Sequence, residues 1–313
     1  MYKVTIIGAG NIAAGFDSPG SEKILTHAHA VAAHPDFELL GFFDADEKKA
    51  LVATERWGGR TYVDIESAVE EADVVCCCVP DRFHAEILKK IARFHPKIVI
   101  AEKPLTTTCE EAEEIQDLYE GKTPLVVNYS RRFLKEFHSL KNEINSYGKF
   151  LKGVGYYGKG ILHNGSHMID ILRFLLGEVE EVEILGTPIF DFESSDPSCD
   201  VVLKIQQENF YMLAIDCRAV TIFEMELFFE RARVRILNGG EKIEIYHVEA
   251  SDTYAGYKNY LLREERVVDY SQAMIGLMEN VSRFLKQEQE LNCTLKDGLD
   301  ALKICVRIRG EQI

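Results

Sequence analysis

Lys103 stands between Glu102 and Pro104, directly after the apolar run Lys97–Ala101. A lysine at the carboxyl end of a strand, with its backbone restricted by the proline that follows, suits proton transfer at a lowered pKa; the ordinary alternative is a surface charge. A second cluster runs Gly158-Lys159-Gly160-Ile161-Leu162-His163-Asn164-Gly165-Ser166-His167-Met168-Ile169-Asp170, with His163, His167 and Asp170 at spacings of four and three. Three chemistries compete for it. A metal site lacks a third ligand from any motif, so no metal is expected. Either histidine taken alone fits a satisfied core position. The third reading makes His167 a general acid–base at a helix start, with Asp170 one turn along, and the polar opening of an otherwise apolar helix favours it. A third cluster, Asn128-Tyr129-Ser130-Arg131-Arg132-Phe133, places two guanidinium groups side by side. They belong either to a solvated surface or, at a domain junction, to the binding of an anionic or hydroxyl-rich substrate, with Lys159, Asn164 and Asp170 on the same substrate side.

These residues need a frame, and the first fifteen positions, MYKVTIIGAGNIAAG, supply its start. Val4–Ile7 reads as a buried strand, and Gly8, Gly10 and Ala13 then fall on the G-x-G-x-x-G/A spacing of a dinucleotide-binding turn. Gly8 permits the tight turn, Gly10 lets the backbone approach a pyrophosphate, and Ala13 is small enough for close packing of helix on strand. Residues Gly15–Leu25 interrupt the helix that should follow, with Pro19 and Gly20 marking a loop; helical character resumes over Thr26–Ala33. The next strand, Glu38–Phe43, ends at Asp44, placed to accept hydrogen bonds from ribose hydroxyls, although a turn shared with Asp46 fits it as well. The ribose reading implies NAD rather than NADP.

Strands and helices then alternate: helix Asp64–Ala72, strand Asp73–Val79, helix Phe83–Phe94, strand Lys97–Ala101, helix Cys109–Glu120 opened by Thr108 with Glu111, and strand Pro124–Val127. This is the pattern of a doubly wound parallel sheet, in which ligands bind at the carboxyl ends of strands, where Gly8, Asp44, Pro80 and Lys103 all fall. From about Phe150 the pattern changes to a strand (Phe150–Tyr157), one apolar helix (Met168–Leu176) and successive strands near 179–187, 200–206, 210–217, 222–230, 232–237 and 242–248, closing with helices Ser271–Gln287 and Leu295–Ile308. The expected architecture is α/β: a Rossmann domain over 1–124 and an α+β domain with a large, mostly antiparallel open sheet over 125–313, the final helix packing back on the first domain.

The bulk composition limits the function classes. A length of 313 residues fits two domains, and 46% hydrophobic with 28% charged residues is that of a globular protein. A charge of −15 argues against nucleic acid or an anionic membrane as main partner and leaves a small-molecule substrate. No run approaches a membrane span, and the first strand begins too early for a signal peptide, which points to the cytoplasm. The eight cysteines, including consecutive Cys76, Cys77 and Cys78 inside an apolar strand, read as core thiols.

Taken together, GAGNIA, HAHAVAAHP leading to FFDAD, VPDRFHAEI, EKPLT at 102–106, NYSRRF at 128–133, GILHNGSHMID at 160–170 and TLKDGLDALKI resemble the glucose-fructose oxidoreductase / inositol dehydrogenase / MocA family almost end to end. The resemblance implies a nicotinamide cofactor and hydride transfer at a carbinol or ketone carbon of a sugar, cyclitol or nucleotide-sugar. By it, Lys103 and His167 match an acid–base pair. Gly8, Gly10, Asp44, Pro80 and Glu102 match the cofactor side, where Asn11, Ile12, His84 and Lys103 itself are also counted. Association into a homo-dimer or tetramer through the second domain's sheet is implied in the same way. Two departures stand out. His163 occupies a position where the family most often has Asp, so catalysis is expected to be divided among Lys103, His163 and His167, and the 15–25 loop is longer than the family pattern. A non-catalytic nicotinamide-binding sensor on the same fold is the alternative.

Overall fold

The computed structural model describes residues 1–310; the last three residues of the expected second domain lie outside the described residues. The chain separates into two compact units, Met1–Phe133 with Ser271–Leu302, and Leu134–Tyr270 with Lys303 onward.

In the first unit the strands are β1 (Tyr2–Ile7), β2 (Phe37–Phe43), β3 (Arg60–Thr61), β4 (Val74–Cys77), β5 (Ile98–Glu102) and β6 (Leu125–Asn128). They form one sheet in the order β3-β2-β1-β4-β5-β6, with every pairing parallel. Val4, Ile6, Ile7, the Val74–Cys77 run and Ile98–Ala101 are fully buried, as strands covered on both faces must be. The strand order reverses between β1 and β4, which is where such sheets open a crevice for ligand. The helices are α1 (His27–Ala33), α2 (Glu47–Trp57), α3 (Ile65–Glu70), α4 (His84–Ala92) and α5 (Cys109–Tyr119). Side chains of Thr26, Asp46, Asp64 and Thr108 cap the N-termini of α1, α2, α3 and α5 by accepting a backbone N–H.

In the second unit α6 (Lys135–Ile144) precedes β7 (Phe150–Tyr157) and α7 (Ser166–Leu176). The strands β8 (Val179–Glu193), β9 (Asp196–Ile205), β10 (Glu208–Ala214), β11 (Phe223–Phe229), β12 (Ala232–Leu237), β13 (Lys242–Ala250) and β14 (Lys258–Val267) follow. They join β7 in an eight-stranded sheet, β14-β13-β12-β11-β7-β10-β9-β8, antiparallel except for the β7–β10 pair. In β11, Leu227 and Phe229 turn into the core while Phe228 stays half-buried, the alternation of a strand with one covered face.

The last helices, α8 (Ala273–Leu285) and α9 (Leu295–Ile308), follow the sheet, and α8 with the first part of α9 returns to the first unit. Glu279 of α8 meets His34 at 3.0 Å, and Lys286 meets Asp36 at 2.6 Å. Thr294 and Asp297 cap α9 reciprocally. The expected boundary at 124/125 therefore falls before β6, which the parallel sheet keeps. The sequence pattern also passed over α2, α6 and β14, and β8 runs to Glu193, beyond its expected end. No helix among the described residues is long and apolar enough to cross a membrane.

Candidate active site

At the end of β1, Gly8 turns with φ +92°, and a Cβ there would lie 2.7 Å from the carbonyl carbon and oxygen of Cys78. Only glycine fits, because the turn presses against the chain leaving β4. Gly10 differs: a Cβ there would meet nothing within 4 Å. Packing does not demand this glycine, which leaves close approach of a ligand as its use, and the residues present therefore fit a dinucleotide's pyrophosphate. The Asp44 carboxylate, at the end of β2, accepts the Ala9 N–H at 2.7 Å and the Asp46 N–H at 2.8 Å. It thus fixes the turn while keeping further acceptor positions open.

The helix after the turn is a single π-type turn, Asn11–Gly15, and Ala13 and Ala14 are buried beneath it. The chain then makes the Phe16–Leu25 excursion, which is tied down at one point. Asp17 accepts hydrogen bonds from the Leu25 N–H and Thr26 Oγ1, both at 2.6 Å, and pairs with His29 Nδ1 at 2.8 Å. The Trp57 indole donates to the Ala14 carbonyl at 2.9 Å and so fastens α2 to the π turn. Between them opens a cleft of about 510 Å³ lined by Ala9, Gly10, Asn11, Lys48, Lys49 and Arg56 among others. These basic residues had no part in the sequence reading because α2 was missed; Asp46 followed by charged and apolar residues at helical spacing was the available signal.

At the end of β5, Glu102 accepts from Asn128 Nδ2 at 2.7 Å and meets His27 Nε2 at 2.7 Å. His27 is fully buried and the Glu102 side chain is 12% exposed. Burial alone would raise the Glu102 carboxyl; hydrogen bonds from His27 and Asn128 and the charges of His27 and Lys103 outweigh it and hold the group below its ordinary value. Burial likewise pushes the His27 imidazole down, but the thiols of Cys78 and Cys76 and the Glu102 carboxylate reverse the sign and hold it well above 6.5. The Cys78 thiol is itself pushed up to about 11 by burial, which leaves Glu102 as the anion beside His27 at neutral pH. His27 is a site residue that the sequence reading missed. The available signal was its place as first residue of the helix resuming after the loop.

Half-buried Lys103 follows, joined to Pro104 by a cis peptide bond. His84, expected on the cofactor side, is fully buried and spans Pro104 O at 2.7 Å from Nδ1 and Val79 O at 2.9 Å from Nε2. It ties the ends of β4 and β5 together and fixes the peptide beside Lys103. Exposed Pro80 and Asn11 stand at the same sheet end, with Ile12 half-buried. Arg131 and Arg132 are buried, not solvated: Arg132 meets Asp297 at 2.9 Å and donates to the Asn292 carbonyl at 3.3 Å.

The second unit holds the other cluster. Residues Gly158–Gly165 form a tight turn whose N–H groups are received by side chains of the β8–β9 hairpin. Asp196 accepts from Leu162 N at 2.7 Å and His163 N at 2.8 Å, Asp191 from Lys159 N at 2.9 Å, and Ser198 from Gly160 N at 2.9 Å. Gly160, at φ +80°, would put a Cβ 2.1 Å from Asp196 Oδ2. Asn164 Nδ2 closes the turn on the Gly158 carbonyl at 2.9 Å. Within 158–170 only Lys159, His163, Asn164 and His167 keep side chains that are not buried; Asp170 is 1% exposed. Among the described residues no group of three or more His, Cys, Asp or Glu side chains is placed to hold a metal ion.

A reversed-order parallel sheet, a glycine turn with an open approach and an acidic residue across from it define a Rossmann-type dinucleotide-binding protein. Residues 2–129 match the model of an oxidoreductase family with an NAD-binding Rossmann fold, that of glucose-fructose oxidoreductase, inositol dehydrogenase and MocA. This stretch of the chain matches the NAD-binding domain of that family, and the chain is an oxidoreductase. It is 23% identical over 302 residues to inositol 2-dehydrogenase from Rhizobium meliloti, spanning 89% of this chain and 90% of that one. In fold it resembles UDP-N-acetylglucosamine 3-dehydrogenase from Acidithiobacillus ferrooxidans, with a TM-score of 0.79, 16% identity and coverage of 99% and 97%. It also resembles an oxidoreductase from Agrobacterium radiobacter solved with NAD+, L-tartaric acid and magnesium, with a TM-score of 0.76, 15% identity and coverage of 97% and 94%.

Proposed function

We propose that this oxidoreductase uses NAD in preference to NADP and moves a hydride to or from a carbinol or ketone carbon of a sugar, cyclitol or nucleotide-sugar. The observation that carries the reading is the set of residues at one sheet end: open Gly10, Asp44 bonded to the Ala9 N–H, and Lys103 beside the anchored Glu102. The nicotinamide ring, when bound, takes up or gives the hydride. Asp44 receives the ribose hydroxyls, and its charge disfavours a 2′-phosphate there. Lys103 removes the hydroxyl proton in the oxidising direction and returns it in the reducing one, with His167 as its partner in acid–base work and His163 in a supporting role. Lys159, Asn164, Arg131, Arg132 and Asp170 are assigned to the substrate side from their clusters in the sequence, with the buried members acting through their neighbours.

The names of the relatives support sugar-type substrates. The eight-stranded sheet supports self-association, since Tyr260, Leu261 and Leu262 of β14 lie exposed. None of the eight cysteines is in a disulfide, which fits a reducing compartment such as the cytoplasm.

The test is to titrate NADH into Lys103→Ala and His167→Ala proteins and to follow its consumption with a panel of keto-sugars. Unchanged NADH binding with turnover reduced by about a hundredfold or more is expected for loss of an acid–base group. Full turnover in both variants overturns the assignment. His163 in place of the usual Asp favours a second reading, a nicotinamide-binding sensor, which predicts tight NADH binding and no consumption across the panel.

A further inference from the structure

Beyond the turn that carries His163 and His167, the β8–β9 hairpin brings an aromatic ring to the same place. Strand alternation turns Asp191 inward, where it accepts from Lys159 N, Cys217 N and Ser198 Oγ. The same alternation turns Phe190 and Phe192 outward, 58% and 40% exposed. Phe192 does not stand alone. Its ring centroid lies 4.7 Å from the His163 imidazole at an interplanar angle of 41°, and the Lys159 ammonium lies 5.1 Å from it. Lys159 reaches that position from a left-handed backbone conformation, φ +68°, which the Asp191 contact secures.

The hairpin and the turn are therefore one rigid piece, because Asp191, Asp196 and Ser198 on the hairpin receive the N–H groups of Lys159, Gly160, Leu162 and His163. Leaving a phenylalanine ring in water forgoes burial energy, and here the ring's neighbours are a tilted imidazole and an ammonium over one of its faces. That composition matches one ligand chemistry closely. The C–H face of a six-membered polyol ring lies on a π-face, while hydroxyl and anionic substituents around its rim need donors and a cation.

We propose that Phe192 is the platform on which the ring of a pyranose or cyclitol substrate stacks, with Lys159 and His163 reading the substituents on its rim. Phe192 then determines substrate specificity without taking part in proton or hydride transfer. The proposal deepens the sugar-oxidoreductase reading and rests on it for the choice of a sugar.

The experiment is saturation-transfer NMR on the full chain, with UDP-N-acetylglucosamine and myo-inositol as probes, comparing wild type, Phe192→Ala and Phe192→Trp. Ring C–H protons of at least one probe should receive saturation from the wild type, and affinity for that probe should fall about tenfold in Phe192→Ala, equivalent to about 1.4 kcal/mol. Phe192→Trp should retain it, and NADH affinity and thermal midpoint should be unchanged in both variants. Equal transfer in wild type and Phe192→Ala overturns the platform, as does the absence of transfer to either probe from the wild type. A change of oligomeric mass in Phe192→Ala with transfer intact also overturns it, by assigning the ring to an interface between copies. Ring binding through Phe192 with no NADH consumed on any keto-sugar leaves the platform standing and removes the proposed hydride transfer to sugars instead. Equal turnover by Phe192→Ala and wild type does the reverse.

Discussion

His27 Nε2 lies 2.7 Å from Glu102 Oε1, an ion pair in which the histidine has no exposed surface. Its place immediately before Lys103 gives it a role in positioning the proposed acid–base group. Removing one partner of a buried pair leaves the other charge uncompensated and costs about 3–5 kcal/mol. His27→Gln should therefore destabilise the protein by roughly that amount in urea denaturation. The pH dependence has a definite sign. The folded value of Glu102 lies below 4.5, so its contribution is complete above pH 4.5 and is lost as pH falls towards that folded value. The folded value of His27 lies above 6.5, so its contribution is complete below pH 6.5 and fades as pH rises towards the folded value. The stability difference between wild type and His27→Gln should peak between pH 4.5 and 6.5. A difference that is flat across pH removes the ion pair from the explanation.

The two glycines of the turn should respond oppositely to the same substitution. Gly8→Ala meets the Cys78 backbone at 2.7 Å from a left-handed conformation, so it should cost about 3 kcal/mol or more and in practice reduce soluble yield. Gly10→Ala meets nothing, so stability should stay within about 0.5 kcal/mol. Its affinity for NADH should fall about tenfold or more, the loss expected when a methyl group is placed where a pyrophosphate must pass. Thermal melting and NADH titration of both variants separate the two roles. Intact NADH affinity in a folded Gly10→Ala protein counts against the dinucleotide site at this turn.

The contrast between these glycines also marks what was legible in the chain. Their spacing after a β-branched strand was visible, as were Asp44 and Lys103 at strand ends, because a parallel sheet writes its alternation as apolar runs closed by turn residues. Asp17 was not legible as the anchor of the 15–25 loop, since a hydrogen bond to residues eight and more positions away leaves no local pattern. His27 hid for a similar reason: its partner Glu102 comes from another strand. α2 and α6 were passed over because their apolar stripes are narrow and interrupted by charges, and β14 because both of its faces are largely exposed and carry no period of two. Arg132 resembled a surface or substrate residue in sequence; only the return of α9 to the first unit, with Asp297 at 2.9 Å, shows why it is buried.

Asp44 tests the cofactor preference separately from the fold. Asp44→Asn retains an amide oxygen for the Ala9 N–H, now 2.7 Å from the carboxylate, leaves the exposed Asp46 N–H to water, and removes the negative charge. Affinity for NAD should fall about tenfold as ribose contacts weaken, while affinity for NADP should rise, helped by Lys48 and Lys49 on the cleft that Ala9 and Gly10 line. Competitive titration of the two dinucleotides reads the ratio. A ratio unmoved by the substitution places the discrimination elsewhere, and a wild type that already prefers NADP overturns the proposed preference.

Asp196 offers the complementary test in the second unit. Its two oxygens receive the N–H groups of Leu162 and His163 at 2.7 and 2.8 Å, so it holds the peptide from which His163 projects. Burial raises its carboxyl above 3.8, more than these two hydrogen bonds lower it. For a carboxyl, a raised folded value means that the ionised form is less favourable in the folded state, a cost relieved as pH falls through that value. Asp196→Asn removes that cost but leaves one acceptor for two donors, so one N–H loses its partner at about 1–3 kcal/mol. The opposing effects should leave thermal stability close to wild type. The turn itself should not be spared: turnover should fall about tenfold if His163 and His167 depend on its geometry, with NADH affinity unchanged because the glycine turn belongs to the other unit. Lowered turnover together with weakened NADH binding would instead indicate a general loss of structure, and unchanged turnover would show that the proposed chemistry does not depend on this turn.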